Sequence, residues 1–173
     1  MPVEPLLRCM SSHKPDNRDQ WLKADDPALL KECRLDFFKA TGKGGQKRNK
    51  SSSAVRIIHI PTGIAVTDCS ERSQHRNRQV ALKKLRVKIA VELRLENSCP
   101  PPRMDISPKH QDYPLWIAYI LDILSKNGYK VKESATELQL NTAKFVKLLA
   151  RDPYLWQLIN SRRMAMELPP IKK

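Results

Sequence analysis

Apolar and polar positions change rhythm twice along this chain of 173 residues, and each change marks a new kind of element. Residues 1–24 mix proline, serine and both charge signs without a period, which predicts an irregular leader. Asp26-Pro27 before Ala28-Leu29-Leu30-Lys31-Glu32 predicts a short helix, with the aspartate capping free amides and proline in the first turn. Short runs rich in aromatic and β-branched groups follow. Arg34–Lys39 reads as a strand with Leu35 and Phe37 in the core, and Ala54–Ile60 as a second strand. Pro61-Thr62-Gly63 is turn chemistry, so Ile64–Thr67 returns as the partner strand. His59 sits where strand meets turn, far in sequence from a second ligand candidate, and reads as a structural histidine.

The period then lengthens from two to about four. Arg72-Ser73-Gln74 introduces a helix from about 77 to 95, in which Ala81, Leu85, Ile89 and Leu93 face the sheet. Lys83, Lys84 and Lys88 lie largely off that stripe, as a solvated basic face or as contacts to phosphate. Pro100-Pro101-Pro102 ends the helical run and sets a domain boundary. Beyond it, Trp116, Tyr119, Ile120, Ile123 and Leu124 repeat at helical spacing, and Asn127-Gly128 supplies a left-handed stop. Ser134-Ala135-Thr136-Glu137 has the spacing of a capping box opening a short helix through Leu140. Asn141-Thr142 recaps a third helix lined by Phe145, Leu148 and Leu149, and Asp152-Pro153 caps a fourth.

The expected class is α+β: a small mixed sheet with a packed helix, carrying a flexible glycine loop, followed by a small all-helical, helix-turn-helix-like domain. The expected organisation is a leader over 1–24, a domain over 25–97, a proline-rich linker over 98–110 and a helical bundle over 111–168. Lys144, Lys147 and Arg151 would be the bundle's exposed basic face if it docks on nucleic acid; plain packing is the competing reading.

Charge sharpens this picture. Lysine and arginine number 32 against 18 acids, a net of +14, which suits a polyanionic partner. Most of the excess falls between Arg34 and Lys88, around the glycine loop. No apolar run is long enough to span a bilayer, and the first residues lack the apolar core of a secretory signal. Cys9, Cys33, Cys69 and Cys99 are scattered, with neither zinc spacing nor disulfide density, which fits a reducing cytosol, and residues 1–20 make an unconvincing transit peptide, so a bacterial-type cytoplasm is expected over a mitochondrion.

The most informative stretch is Thr41-Gly42-Lys43-Gly44-Gly45-Gln46-Lys47-Arg48-Asn49-Lys50, which holds three of the chain's five glycines. Glycine loses the most freedom on ordering and brings no side chain to pack, so the segment reads as a loop tip rather than a helix or strand interior. Bare backbone at Gly44 and Gly45 would let a partner touch the peptide groups, and Gln46 presents an uncharged donor and acceptor. His, Asp and Glu are absent from Thr41 to Lys50, so the loop lacks a titrating base and cannot be a self-sufficient hydrolase.

Lys39 to Gln46, Asn49-Lys50, Ser53–Ile57, His59–Ile64 and Glu71–Asn77, in that order and spacing, resemble the catalytic domain of class I peptide chain release factors and their codon-independent ribosome-rescue relatives. The resemblance runs from about Arg34 to about Leu95. It implies hydrolysis of the ester joining a nascent peptide to tRNA inside the peptidyl-transferase centre of the large ribosomal subunit, with no metal or nucleotide cofactor. Gly44, Gly45 and Gln46 would then be the catalytic residues: the Gln46 amide meets the developing oxyanion and its side chain positions water. Lys43, Lys47, Arg48, Asn49, Lys50, Arg56, Arg72, Gln74, Arg76 and Asn77 would contact ribosomal RNA and tRNA, although Arg72-Ser73-Gln74 could instead brace the loop base. The residues before Arg34 are too few for a codon-inspecting region, so codon-independent rescue is expected, by a protein that is a monomer off the ribosome. The alternatives are a non-catalytic ribosome-binding quality-control factor and a DNA-binding regulator acting through the helical module.

Overall fold

A computed structural model describes residues 17–39, 53–96 and 98–172. Two short helices open it, α1 (Arg18–Lys23) and α2 (Asp26–Lys31). The helix α1 lies inside the expected irregular leader. At six residues it is too short to show a period, and it is held from outside by burial of Trp21 and Leu22. Asp25, one residue earlier than expected, caps α2 by accepting from the Ala28 amide at 2.8 Å.

Three strands follow: β1 (Cys33–Phe38), β2 (Ala54–His59) and β3 (Ala65–Asp68), in spatial order β1-β2-β3. Both pairings are antiparallel, so the α+β class is present with an antiparallel rather than a mixed sheet. Cys33 pairs with His59 and Phe38 with Ala54, making β1 and β2 the two arms of a hairpin joined through residues 39–53. The β2–β3 turn is tight, as Pro61-Thr62-Gly63 predicts. The Gly63 amide reaches the His59 carbonyl at 2.8 Å, and Gly63 takes φ +69°, which an L side chain rarely adopts.

Helix α3 (Gln74–Glu92) lies across β2 and β3. It starts three residues before the expected position because Ser73 is its cap, accepting from the Arg76 amide at 3.4 Å. Ala81, Leu85 and Ile89 are fully buried, as the four-residue spacing predicts, and face a sheet side that includes the fully buried Val55 and Ile57. Full burial of each such Leu or Ile contributes about 1.5–3 kcal/mol. Phe37 corrects the expectation made for β1. It shares a sheet face with Val55, its register partner, yet is 48% exposed. Among the described residues α3 covers β2 and β3, while α2 reaches the Cys33 end of β1, where the Cys33 thiol donates to the Leu29 carbonyl.

The proline-rich stretch does not interrupt the core. Ile106 is buried, and Trp116 donates its indole N–H to the Met104 carbonyl at 2.9 Å. Helix α4 (Tyr113–Lys126) is buried on nearly every side, with only Tyr119, Ser125 and Lys126 outside its buried set. A single apolar stripe was the expectation; an apolar circumference is needed because α4 packs against α1 and α3 on one side and against the helices that follow on the other. Those are α5 (Val131–Glu137), α6 (Thr142–Leu149) and α7 (Pro153–Ala165). Phe145, Leu149, Leu155 and Ile159 join the same cluster of buried side chains as Leu29, Ile57 and Leu85.

The expected capping box at Ser134 is overturned. Ser134 lies inside α5, fully buried, and its hydroxyl donates back to the Lys130 carbonyl at 2.8 Å. Glu137 ends that helix and accepts from Lys126 Nζ and Asn127 Nδ2, both at 2.6 Å. The caps expected at Asn141 and Asp152 are present, each accepting at 2.8 Å from the amide two residues on.

Candidate functional site

The β1–β2 hairpin presents its long connection at one end of the sheet. Gly44, Gly45 and Gln46, with Lys43, Lys47, Arg48, Asn49 and Lys50, lie in that connection and outside the described residues. The frame on either side of them is described. Phe38 and Ala54 form the last pair of the ladder, so Lys39 leaves the sheet on one side and Ser53 enters it on the other.

Ser53 is tied to the start of α3 by one side chain. Asn77 Nδ2 donates to the Ser53 carbonyl at 2.7 Å and to the Glu71 carbonyl at 2.9 Å, while its Oδ1 accepts from the Glu71 amide at 2.8 Å. Asn77 stands in the first turns of α3, where its own amide makes a helical bond to the Ser73 carbonyl. This corrects its expected role as an RNA contact. Asn77 is 0% exposed, and its carboxamide is occupied by backbone groups of this chain.

Around that clamp the first turn of α3 and the bend before it are open to solvent. Arg72, Gln74 and Arg76 are exposed together; Arg76 lies 3.9 Å from Glu71 with 72% of its side chain accessible, a contact too long and wet to hold it. Three of the expected RNA contacts are therefore gathered where the chain re-enters the sheet. Arg56 is placed elsewhere. It alternates with the buried Val55 and Ile57, so it projects from the sheet face away from α3, between Asp36 and Thr67 of the neighbouring strands.

The basic face expected on the middle of α3 is largely occupied. Lys84 Nζ is 2.5 Å from Oδ1 of Asp68, a carboxylate 3% exposed, whose Oδ2 accepts from the Ser70 hydroxyl at 2.8 Å. Burial pushes the Asp68 carboxyl up, but the bonds from Lys84 and Ser70 outweigh it and hold the group below its usual range. Lys88 donates to the Ala65 carbonyl at 3.0 Å and faces Glu92 at 3.7 Å. Lys83 alone of the three has no ion pair among the described residues. On the helical bundle, Lys144 and Lys147 are exposed, whereas Arg151 is paired with Asp105 of the proline-rich stretch.

Two buried cations escaped the sequence reading. Arg86, counted there with the excess charge, is buried and donates to the Asp26 carboxylate and the Ala24 carbonyl, both at 2.7 Å. The signal lay in its neighbours: Leu82 and Ala90, four residues to either side, are core residues, so position 86 faces inward. Arg18 is likewise buried in the segment read as irregular. His59 is structural, as expected: it is fully buried, its Nδ1 is 2.8 Å from the Thr62 hydroxyl, and its ring meets Trp21 edge-on at 4.6 Å.

A family model described as the RF-1 domain matches residues 29–111. Among similar proteins, peptide chain release factor 2 of Nautilia profundicola is 54% identical over 66 residues, 38% of this chain and 18% of that protein. Peptide chain release factor 2 of Paramagnetospirillum magneticum is 59% identical over 58 residues, 34% of this chain and 16% of that protein. Peptide chain release factor 1 of Carboxydothermus hydrogenoformans is 52% identical over 65 residues, 38% of this chain and 18% of that protein. The chain thus spans less than a fifth of the length of the curated relatives it matches. The hairpin with its glycine-rich connection, the bend at Glu71 and the basic start of α3 all fall within the matched residues, and this segment belongs to the class I peptide chain release factor family as its catalytic domain.

Proposed function

We propose that this protein is a release-factor-like hydrolase that frees nascent peptide from peptidyl-tRNA on the ribosome, and that it acts without reading a codon, on stalled ribosomes. The observation that carries the reading is the hairpin: a release-factor catalytic domain whose strands β1 and β2 are joined through the stretch containing Gly44-Gly45-Gln46. Water attacks the ester carbonyl, the Gln46 amide stabilises the oxyanion, and the ester C–O bond breaks to leave a peptide carboxylate and the ribose hydroxyl of tRNA. With His, Asp and Glu absent from Thr41 to Lys50, the remaining groups of the site belong to the RNA. Arg72 and Arg76 hold register on phosphates at the base of the loop.

Outside the matched segment the described chain is mainly helical. Residues 17–28 fold as α1 and the first part of α2, packed against the domain, and residues 113–165 form the helices stacked on α3 and on one another.

The test is peptide release from ribosomes stalled on truncated messengers, compared with ribosomes holding a stop codon or a sense codon on intact messenger. Release on the truncated complex is expected from the unaltered protein. Gly45→Ala, which restricts the backbone before Gln46, should abolish release while ribosome binding survives. Binding without release by the unaltered protein would overturn the hydrolase reading, and release only at stop codons would overturn codon independence.

A further inference from the structure

The carboxamide of Asn77 joins two pieces of backbone that the sheet and the helix do not join. One is Ser53, the residue at which the chain returns from the glycine-rich stretch; the other is Glu71, in the bend before α3. Ser53 lies beyond the last ladder pair, Phe38 with Ala54, and among the described residues it belongs to no ladder pair. We infer that Asn77 is a positioning residue for the proposed hydrolysis: through Ser53 and Glu71 it fixes where the loop arm leaves the domain relative to the exposed cations at the start of α3. The inference rests on the hydrolase reading above.

The chemistry of the three bonds restricts the residue that can make them. Two carbonyls require two donors and one amide requires an acceptor, all within reach of a two-carbon side chain. Neutral asparagine supplies that set. Ionised aspartate keeps the acceptor and loses both donors, serine has one donor, and glutamine sets the group one methylene farther out. The partners are main-chain atoms, so the clamp holds backbone rather than another side chain. Arg72, Gln74 and Arg76 sit within one turn or bend of the clamp and are exposed. Those cations stand on α3 and the bend before it, and the carboxamide sets the arm that would carry Gln46 relative to them. Ala81, Leu85 and Ile89, which hold α3 on the sheet, lie farther along the helix, so loosening the clamp leaves the main core in place. A misplacement of about 1 Å at a reacting group can cost about 10²-fold in rate, which is the scale on which such a clamp acts.

The experiment is Asn77→Asp in the full chain, with three measurements: the release rate at saturating factor, the factor concentration giving half-maximal release, and the thermal melt. The expected result is a release rate lower by about 10²-fold, a half-maximal concentration within about twofold of the unaltered protein, and a cooperative melt. If the aspartate variant does not melt cooperatively, Asn77→Ala is measured in the same way. Release near the unaltered rate would overturn the positioning role and leave the hydrolase reading standing. So would a loss that follows the folded fraction or the ribosome affinity. Absence of release from the unaltered protein would instead overturn the hydrolase reading, and with it this role.

Discussion

Arg18 and Asp122 meet as a buried ion pair across more than a hundred residues of sequence, with Arg18 Nη1 2.7 Å from Asp122 Oδ2 and their side chains 0% and 3% exposed. Asp122 Oδ1 also takes Arg94 Nη1 at 3.1 Å and the Leu95 amide at 3.2 Å, while Arg18 reaches the Leu93 carbonyl at 3.1 Å. One carboxylate in α4 therefore joins α1 to the chain leaving α3. Burial pushes the Arg94 guanidinium down to about 10 against the pull of Asp122, which marks how dry the site is.

Removing one member of a buried pair leaves the other charge without compensation. Asp122→Ala should lower the unfolding free energy by about 3–5 kcal/mol, read as a shift in denaturant midpoint at constant slope. Replacing Asp122 together with Arg94, Arg94→Met with Asp122→Leu, should cost less than Asp122→Ala alone, because Arg18 keeps its pair with Asp19 at 2.7 Å while Arg94 would otherwise be left without a carboxylate among the described residues. A double variant as unstable as the single would show that packing, not charge, governs the site.

His59 gives the fold a pH dependence. Its ring is fully buried, and burial lowers its pKa from 6.5 although Glu32, with Oε2 3.8 Å from Nε2, pulls the other way. The unfolded chain then binds the proton more tightly than the folded one. Stability from this group is complete above the unfolded value and declines as pH falls through and below about 6.5. The midpoint of urea unfolding should fall from neutral to mildly acid pH, and His59→Gln should flatten that dependence while lowering stability at neutral pH through loss of the contact with Trp21. An unchanged slope in the variant would assign the acid sensitivity to other groups.

The strands, the β2–β3 turn and the stripe of α3 were legible because each rests on local chemistry: β-branched runs, Gly63 at positive φ, and apolar residues four apart. What the sequence hid depends on partners distant in the chain. Phe37 reads as core, but α3 does not extend over the end of β1 among the described residues. Asn77 and Arg86 read as surface polar groups, and only the folded chain brings Ser53 to one and Asp26 to the other. The spacing Ser134 to Glu137 matches a capping box, yet the helix begins at Val131 because Gly128 and Tyr129, both at positive φ, turn the chain earlier.

Arg86 provides a direct check on that distinction. Arg86 is 8% exposed, and its guanidinium holds α2 and the chain before it against α3. Arg86→Lys keeps the charge but loses the fork that serves Asp26 and Ala24 together. It should cost about 1–3 kcal/mol of stability, from leaving the part-buried Ala24 bond unmade or strained, with no change in the salt dependence of ribosome binding. A change in that salt dependence would place Arg86 on the RNA surface instead.

The cations around the proposed site separate into those that face RNA and those that hold the fold, and salt dependence distinguishes them. Each phosphate contact released on substitution should reduce the slope of log affinity against log salt by about one. Arg72→Ala and Arg76→Ala, at exposed positions, are expected to weaken ribosome binding in this way and to leave the melt within about 0.5 kcal/mol of the unaltered protein. Lys84→Met is expected to do the reverse. It removes the closest partner of the buried Asp68, leaving only the bonds from Ser70, so stability falls while the salt slope holds. The Asp68 carboxyl is held below 3.8 in the folded chain, and its contribution is present above that value and lost as pH falls below it. In Lys84→Met that carboxyl rises, so the variant's deficit should be full at neutral pH and shrink in strong acid. A deficit that does not shrink there would assign it to packing rather than to the Asp68 pair, and a salt slope that drops with Lys84 would mean that the lysine serves RNA.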